Sequence, residues 1–323
     1  MITRQDSLIK EVKKFMNSTY EEAEKIVEKA VVGGEINSES EFEIWLEEKF
    51  KPNVVFIDEA GYASMCIDAL KILKGTAATD YGSSRQRDFG QMWADMTRGY
   101  LAEYAFSKFL KEKFNIESKL GHEKGKLEDF LPMDIHKVKI EGETVFRVPK
   151  IKIGIKGTKF NGIWFDIPGN QFKHSDIHVL VKVGTGRDHL FAYFKHISIF
   201  KDKILQKGIE SGLLTSEEAS ELYNHLPGFQ PITAYVVGFA VSQFNYDNFS
   251  YGGKMGRINY KITTWNGPIK RGDLEEIKIR EKVIGKVQFE SIGEFAHESG
   301  YLFNTGVLLW RKSDWKKYVI KNL

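Results

Sequence analysis

The segment Lys150–Phe160, KIKIGIKGTKF, combines residue types and spacing that can do chemistry. Side chains alternate between the two faces of a strand. Ile151, Ile153 and Ile155 therefore share one face, and Lys152, Gly154 and Lys156 share the other. The isoleucines fit a buried core, and the lysine face must meet water, a partner or an anion. Asp134 stands about twenty residues upstream of Lys156, in LPMDI. A lysine ammonium placed beside a carboxylate site can stabilise developing negative charge or position a water.

These residues need elements to carry them. The first ninety residues read as helical, with Ser18-x-x-Glu21 and Ser38-x-x-Glu41 fitting capping boxes and Phe42, Trp45, Leu46 and Phe50 at helical spacing. Gly75–Gly90 reads as a loop carrying Arg85 and Arg87, and a long helix is expected over about Gln91–Lys113. Short β-rich runs follow Asp134: VFRVPKIKIGIKGTKF, HVLVKV, FAYFKHISIF and ITAYVVGFAV, interrupted by a helix over Thr215–Leu226 with a Thr215-x-x-Glu218 box. Helix, several strands, helix and strand in that order point to an α/β or α+β domain on a mixed central sheet flanked by helices. The expected division is a helical region over 1–90 and a sheet domain over 91–323.

Composition sets wide bounds. The 323 residues are 42% hydrophobic and 28% charged, which fits a folded globular chain. No run reaches the roughly 18 apolar residues of a membrane span, and the N-terminus lacks a secretory core. The single cysteine, Cys66, excludes an intrachain disulfide and a multi-cysteine zinc site, and reads as a buried small residue. A cytoplasmic location is expected. The net charge of +3 permits a nucleic-acid partner without indicating one. Neither a P-loop nor a dinucleotide fingerprint is present; GTGRDH over Gly184–His189 reads as a turn.

Asp134 in PMD, the strand bearing Lys156, and Glu103 in the upstream helix RGYLAEYAF resemble the PD-(D/E)XK nuclease superfamily, especially type II restriction endonucleases. The likeness covers roughly residues 95–200. It implies a restriction-endonuclease-like fold and Mg²⁺-dependent hydrolysis of phosphodiester bonds in double-stranded DNA at a short specific sequence, by a homodimer with one centre per strand. It implies Asp134 as the central metal ligand, Lys156 as the charge-stabilising or water-orienting group, and Glu103 as an auxiliary ligand or base. A structure-selective repair or recombination nuclease, and a non-catalytic DNA-binding protein on the same scaffold, are the alternatives.

Gly154 departs from the pattern, standing where the family carries an acid. Three readings stay open: replacement of a native Glu that attenuates the enzyme, migration of the acid to Asp166, Glu143 or Asp129, or a pseudonuclease. Candidate DNA contacts are Lys159, then Asn170, Gln171, Lys173 and His174, and then Lys254 and Arg257 in the Gly- and aromatic-rich run Ser250–Lys261, with Arg85 and Arg87. A surface loop or solvated hairpin accounts for these runs comparably well. His174 and His178 are four apart, but no Cys or third His lies nearby, so zinc is not expected.

Overall fold

The computed structural model describes residues 4–76, 89–121, 133–186, 188–242 and 299–323, with the strand segments 252–254, 257–259, 262–266, 274–279 and 282–288; of 74–76, 168–170, 173, those five strand segments, 299–300 and 302 it describes only the backbone. The chain divides by compactness into two units rather than near residue 90. The first comprises Met1–Val55, Leu101–Val183 and Ala234–Leu323, and the second Phe56–Tyr100 and Gly184–Thr233. No helix among the described residues is long and apolar enough to cross a membrane.

The chain opens with α1 (Arg4–Met16) and α2 (Tyr20–Val32). The capping box of α2 is formed by Thr19 and Glu22, one residue on from the expected pair. Ser38 occupies a cap position without a side-chain capping bond; Glu41 instead accepts from the Asn37 amide at 2.7 Å. Short turns α3 (Phe42–Ile44) and α4 (Lys51–Asn53) flank a π-helical turn, Trp45–Phe50. The apolar VVFI that follows forms strand β1 (Val54–Ile57), a strand inside a region expected to be helical. Its β-branched residues suit a sheet, which overrides the helical surroundings.

Helices α5 (Glu59–Thr76) and α6 (Phe89–Phe114) precede β2 (Glu117–Leu120), β3 (Ile135–Lys139), β4 (Ile153–Thr158) and β5 (Trp164–Pro168). Then come α7 (Gly169–His174), β6 (Ile177–Val183), α8 (His189–His196), α9 (Gln206–Glu210), α10 (Ser216–His225) and β7 (Ile232–Val241). The Thr215–Glu218 capping box of α10 is present as expected. FAYFKHISIF, expected as a strand, is mostly helix α8. Its buried His189 and Ala192 and half-buried Tyr193 fall at i, i+3 and i+4, a helical period that a short aromatic run hides.

The first unit is built on a mixed four-stranded sheet in the order β1-β7-β6-β4, with β4 at one edge. Strands β4 and β6 are parallel, and β6 and β7 antiparallel. On one face, Leu180, Tyr235, Val237 and Ala240 join Leu8, Val12, Val27, Trp45 and Phe50 in one core, so the N-terminal helices cover this face. On the other, Phe239 meets Trp315 at 4.4 Å, and Trp315 meets Phe106 and Phe109 of α6. Gly238 has φ +149, and a Cβ there would lie 2.5 Å from the Leu309 carbonyl, so only glycine lets that segment bridge to Phe239.

A fully buried ionic cluster joins the N-terminal helices to the sheet. Glu35 Oε2 meets Lys49 Nζ, and Oε1 meets Lys182 Nζ on β6, each at 3.1 Å. Tyr235 Oη and Trp45 Nε1 also donate to Oε2, at 2.7 and 3.3 Å. Burial alone would raise the Glu35 pKa, but the Lys182 and Lys49 charges and the Tyr235 hydroxyl outweigh it and hold the group at about 2. Burial lowers Lys49.

Glu35→Gln would leave two buried ammoniums without their counter-charge, an expected loss of about 3–5 kcal/mol in urea unfolding at neutral pH. Because the folded carboxylate titrates below its ordinary value of 4.5, its contribution is present above that pH and is lost as pH falls towards about 2. Parent chain and Gln variant should therefore converge in stability across that acid range.

Candidate active site

Asp134 immediately precedes β3 and is anchored from three directions. Its amide donates to the Ile153 carbonyl and its carbonyl accepts from Gly121, both at 3.0 Å. Its carboxylate Oδ2 accepts the Ile155 amide at 2.5 Å. Ile155 lies between Gly154 and Lys156 on edge strand β4, so the fold sets the Asp134 carboxylate against the strand that carries both. A strand-edge amide needs an acceptor, and Asp134 supplies it.

Of the isoleucines, Ile153 is fully buried, whereas Ile151 and Ile155 are half-buried. The Lys156 face continues onto β6, where Gly154 pairs with His178 and Lys156 with Leu180. A Cβ added to Gly154 would meet Ser175 Oγ at 3.0 Å and His178 Nδ1 at 3.4 Å. The small residue thus leaves space that a buried serine and imidazole already occupy.

His178 is 4% exposed, and its Nε2 lies 2.9 Å from Ser242 Oγ. Ser242 donates its proton to the Ser175 carbonyl at 2.5 Å, so it accepts from the imidazole N–H. Nδ1, the atom nearer Gly154, then carries the lone pair. Burial pushes His178 down to about 4 and the Lys156 charge adds to this, against the Phe172 carbonyl and Asp176. The imidazole is neutral at neutral pH. The local sequence raised His178 only as a zinc candidate; its place beside Gly154 depends on parallel strand register, which no local pattern carries.

The other candidates are dispersed. Glu103 is half-buried on α6, which packs through Phe106 and Phe109 on the face opposite Lys156. Asp166 is half-buried on β5, pairing in register with Leu302. Glu143 accepts from the Ile140 amide at 2.8 Å and Arg147 Nε at 2.7 Å, which holds it in a turn. Lys159 is exposed just beyond β4; Gln171 is half-buried on α7, and His174 is exposed at its end. Asn170 and Lys173 lie on α7, Lys254 on β8 (Gly252–Lys254) and Arg257 on β9 (Arg257–Asn259), described by backbone only. Strands β8 and β9 pair as an antiparallel hairpin. Asp129, Arg85 and Arg87 lie outside the described residues.

In the second unit, the Tyr62 hydroxyl is hydrogen-bonded to His189 Nδ1, and Tyr62 packs on Tyr193 and Phe229. Burial pushes the neighbouring Cys66 thiol up to about 11, which keeps it protonated and poorly nucleophilic at neutral pH.

As a donor set, Asp134 offers one hard carboxylate against the strand that carries Lys156, and position 154 offers none. Mg²⁺ keeps several waters and is held by one or two carboxylates plus substrate phosphate. The residues fit an ion completed largely by water and substrate. Among the described residues, no group of three or more His, Cys, Asp or Glu side chains is placed to hold a metal ion. No protein-family model, curated protein or solved structure matches the chain.

The packing at Gly154 has a measurable consequence. Gly154→Ala is expected to cost about 1–2 kcal/mol in denaturant unfolding, an overpacking penalty partly offset by reduced unfolded-state freedom. Ser175→Ala in the same chain should recover much of that loss by removing the nearest atom.

Proposed function

We propose that the chain is a Mg²⁺-dependent endonuclease acting on double-stranded DNA, of the type II restriction kind. One observation carries this reading: the Asp134 carboxylate lies on the Ile155 amide, between position 154 and Lys156. The order α6-β2-β3-β4-β5-α7-β6, with β4 and β6 parallel and β5 paired in a separate sheet, also supports a restriction-endonuclease-like core.

Asp134 is the residue that would hold Mg²⁺; Glu103, on the helix packed against the opposite face of the sheet, is not brought to it. Bound Mg²⁺ supplies Lewis acidity toward a phosphoryl oxygen and a lowered pKa for bound water. Lys156, on β4, would stabilise charge developing on phosphate and orient the attacking water. Neutral His178, fixed by Ser242, keeps a second positive charge away from Lys156. A palindromic target calls for a homodimer, with protein symmetry matching that of the DNA.

A second reading, a duplex-binding protein that does not cut, is favoured by the occupied space around Gly154 and the single carboxylate of the donor set. Incubation of the purified chain with plasmid and phage DNA in Mg²⁺ separates the two. The endonuclease reading expects discrete fragments, with at least a 100-fold loss of cutting in Asp134→Ala and Lys156→Ala and duplex binding retained. Binding without cutting by the parent chain and by Gly154→Glu would favour the second reading. Cutting unaffected by Asp134→Ala would remove this centre from consideration.

A further inference from the structure

The two-stranded sheet β2–β3 carries a charge arrangement that its own packing does not explain. Antiparallel register sets Lys119 directly opposite Lys137, and Glu117 opposite Lys139. Like charges directly opposite in an antiparallel pair are destabilising. Among the described residues, no carboxylate forms an ion pair with Lys119 or Lys137, whereas Glu117 takes Lys139 at 2.8 Å and Lys111 at 3.1 Å. The opposite face of the hairpin is turned to α6, where Ser118 donates to Ser107 Oγ at 2.7 Å. The lysine face lies on the other side of the hairpin, with Glu117 at its edge reaching Lys111 of α6.

An aromatic ring completes this face. Phe146 lies under Lys119 Nζ at 4.6 Å and Lys139 Nζ at 5.3 Å. Val145 and Val148 beside it are 70% and 55% exposed. Between this hairpin and α6 runs an open cleft of about 550 Å³ in which Lys108 and Lys111 are paired with Glu112 and Glu117, at 3.8 and 3.1 Å, and Lys119, among the described residues, is not.

We infer that this face is a binding surface for the sugar–phosphate backbone of a nucleic-acid duplex. The like-charged pair gains from an incoming anion what it loses by mutual repulsion. The two-residue step from Lys137 to Lys139 is roughly 6.6 Å, near the spacing of neighbouring phosphates along one strand, with Lys139 exchanging Glu117 for a phosphate. A phosphodiester chain fits this repeat, and Phe146 with its valine neighbours offers apolar contact to sugars. Lys137 lies on the strand that Asp134 opens, roughly 10 Å further along. A backbone seated on the lysines therefore continues toward the Asp134 carboxylate. The inference rests on the nucleic-acid reading above and names the surface that receives the substrate.

The test is fluorescence anisotropy of a labelled DNA duplex with the full chain in EDTA buffer, across a salt series, beside a cleavage assay in Mg²⁺. Lys119→Glu/Lys137→Glu should bind at least 10-fold more weakly at low salt. Its slope of log affinity against log salt should be shallower by about 2, as for two lost phosphate contacts. Lys10→Glu/Lys25→Glu, with the same change in net charge on α1 and α2, should bind like the parent. Lys119→Ala/Lys137→Ala gives a milder loss in the same direction, and circular dichroism checks folding. Unchanged binding in both patch variants, equal weakening in the control, or no duplex binding by the parent would overturn the surface. If the patch variants lose binding while the parent cuts nothing, the surface stands and the nuclease reading falls. If the parent cuts and its binding ignores the patch, the reverse holds.

Discussion

A single carboxylate with no solvent contact organises the first unit. Glu35 brings together residues from the turn after α2, from the π-helical turn, from β6 and from β7. Isolated burial of any one of these charges would be prohibitive, and the desolvation becomes tolerable only when both ammoniums and the phenol share the carboxylate. The N-terminal helices are thereby integral to the sheet's core. Along β6, His178, Leu180 and Lys182 share a face, so one end of that face is closed by the ionic cluster and the other meets Gly154 and Lys156.

That division explains the character of the candidate site. Asp134 reaches β4 because β4 is a sheet edge whose Ile155 amide needs an acceptor, so its position is set by backbone bonding as well as by any chemistry. Lys156 is placed by simple alternation along the same strand. Between them, Gly154 is small because β6 presents a buried histidine to it in register, backed by Ser175 and Ser242. The region is thus structurally determined on every side: a carboxylate held by an amide, a lysine fixed by strand parity and a neutral imidazole fixed by a serine.

Several of these features were legible in the sequence because they are local. Alternation located β4, and the apolar runs located β6 and β7; the Thr215–Glu218 box marked the start of α10. Local patterns also misled where two periods compete: the aromatic run through α8 fits both strand and helix, and VVFI lies among helix signals although its β-branched residues belong to a strand. The Glu35 cluster left no local trace. Its members are up to 200 positions apart, and Glu35 itself follows two glycines in what resembles an ordinary loop. His178 beside Gly154 was equally hidden, since cross-strand register follows from the whole sheet.

The position of β4 has a consequence for the molecule's behaviour in company. An outermost strand presents unpaired amides and carbonyls to the surroundings, and such edges recruit strands from other chains. Here the Asp134 side chain takes the Ile155 amide and its backbone takes the Ile153 carbonyl, so the middle of the edge is already engaged. The charge at this position also discourages an apolar strand from docking alongside. The residue that defines the candidate site therefore also closes the middle of this edge to an added strand, which confines any pairing between copies of the chain to other surfaces.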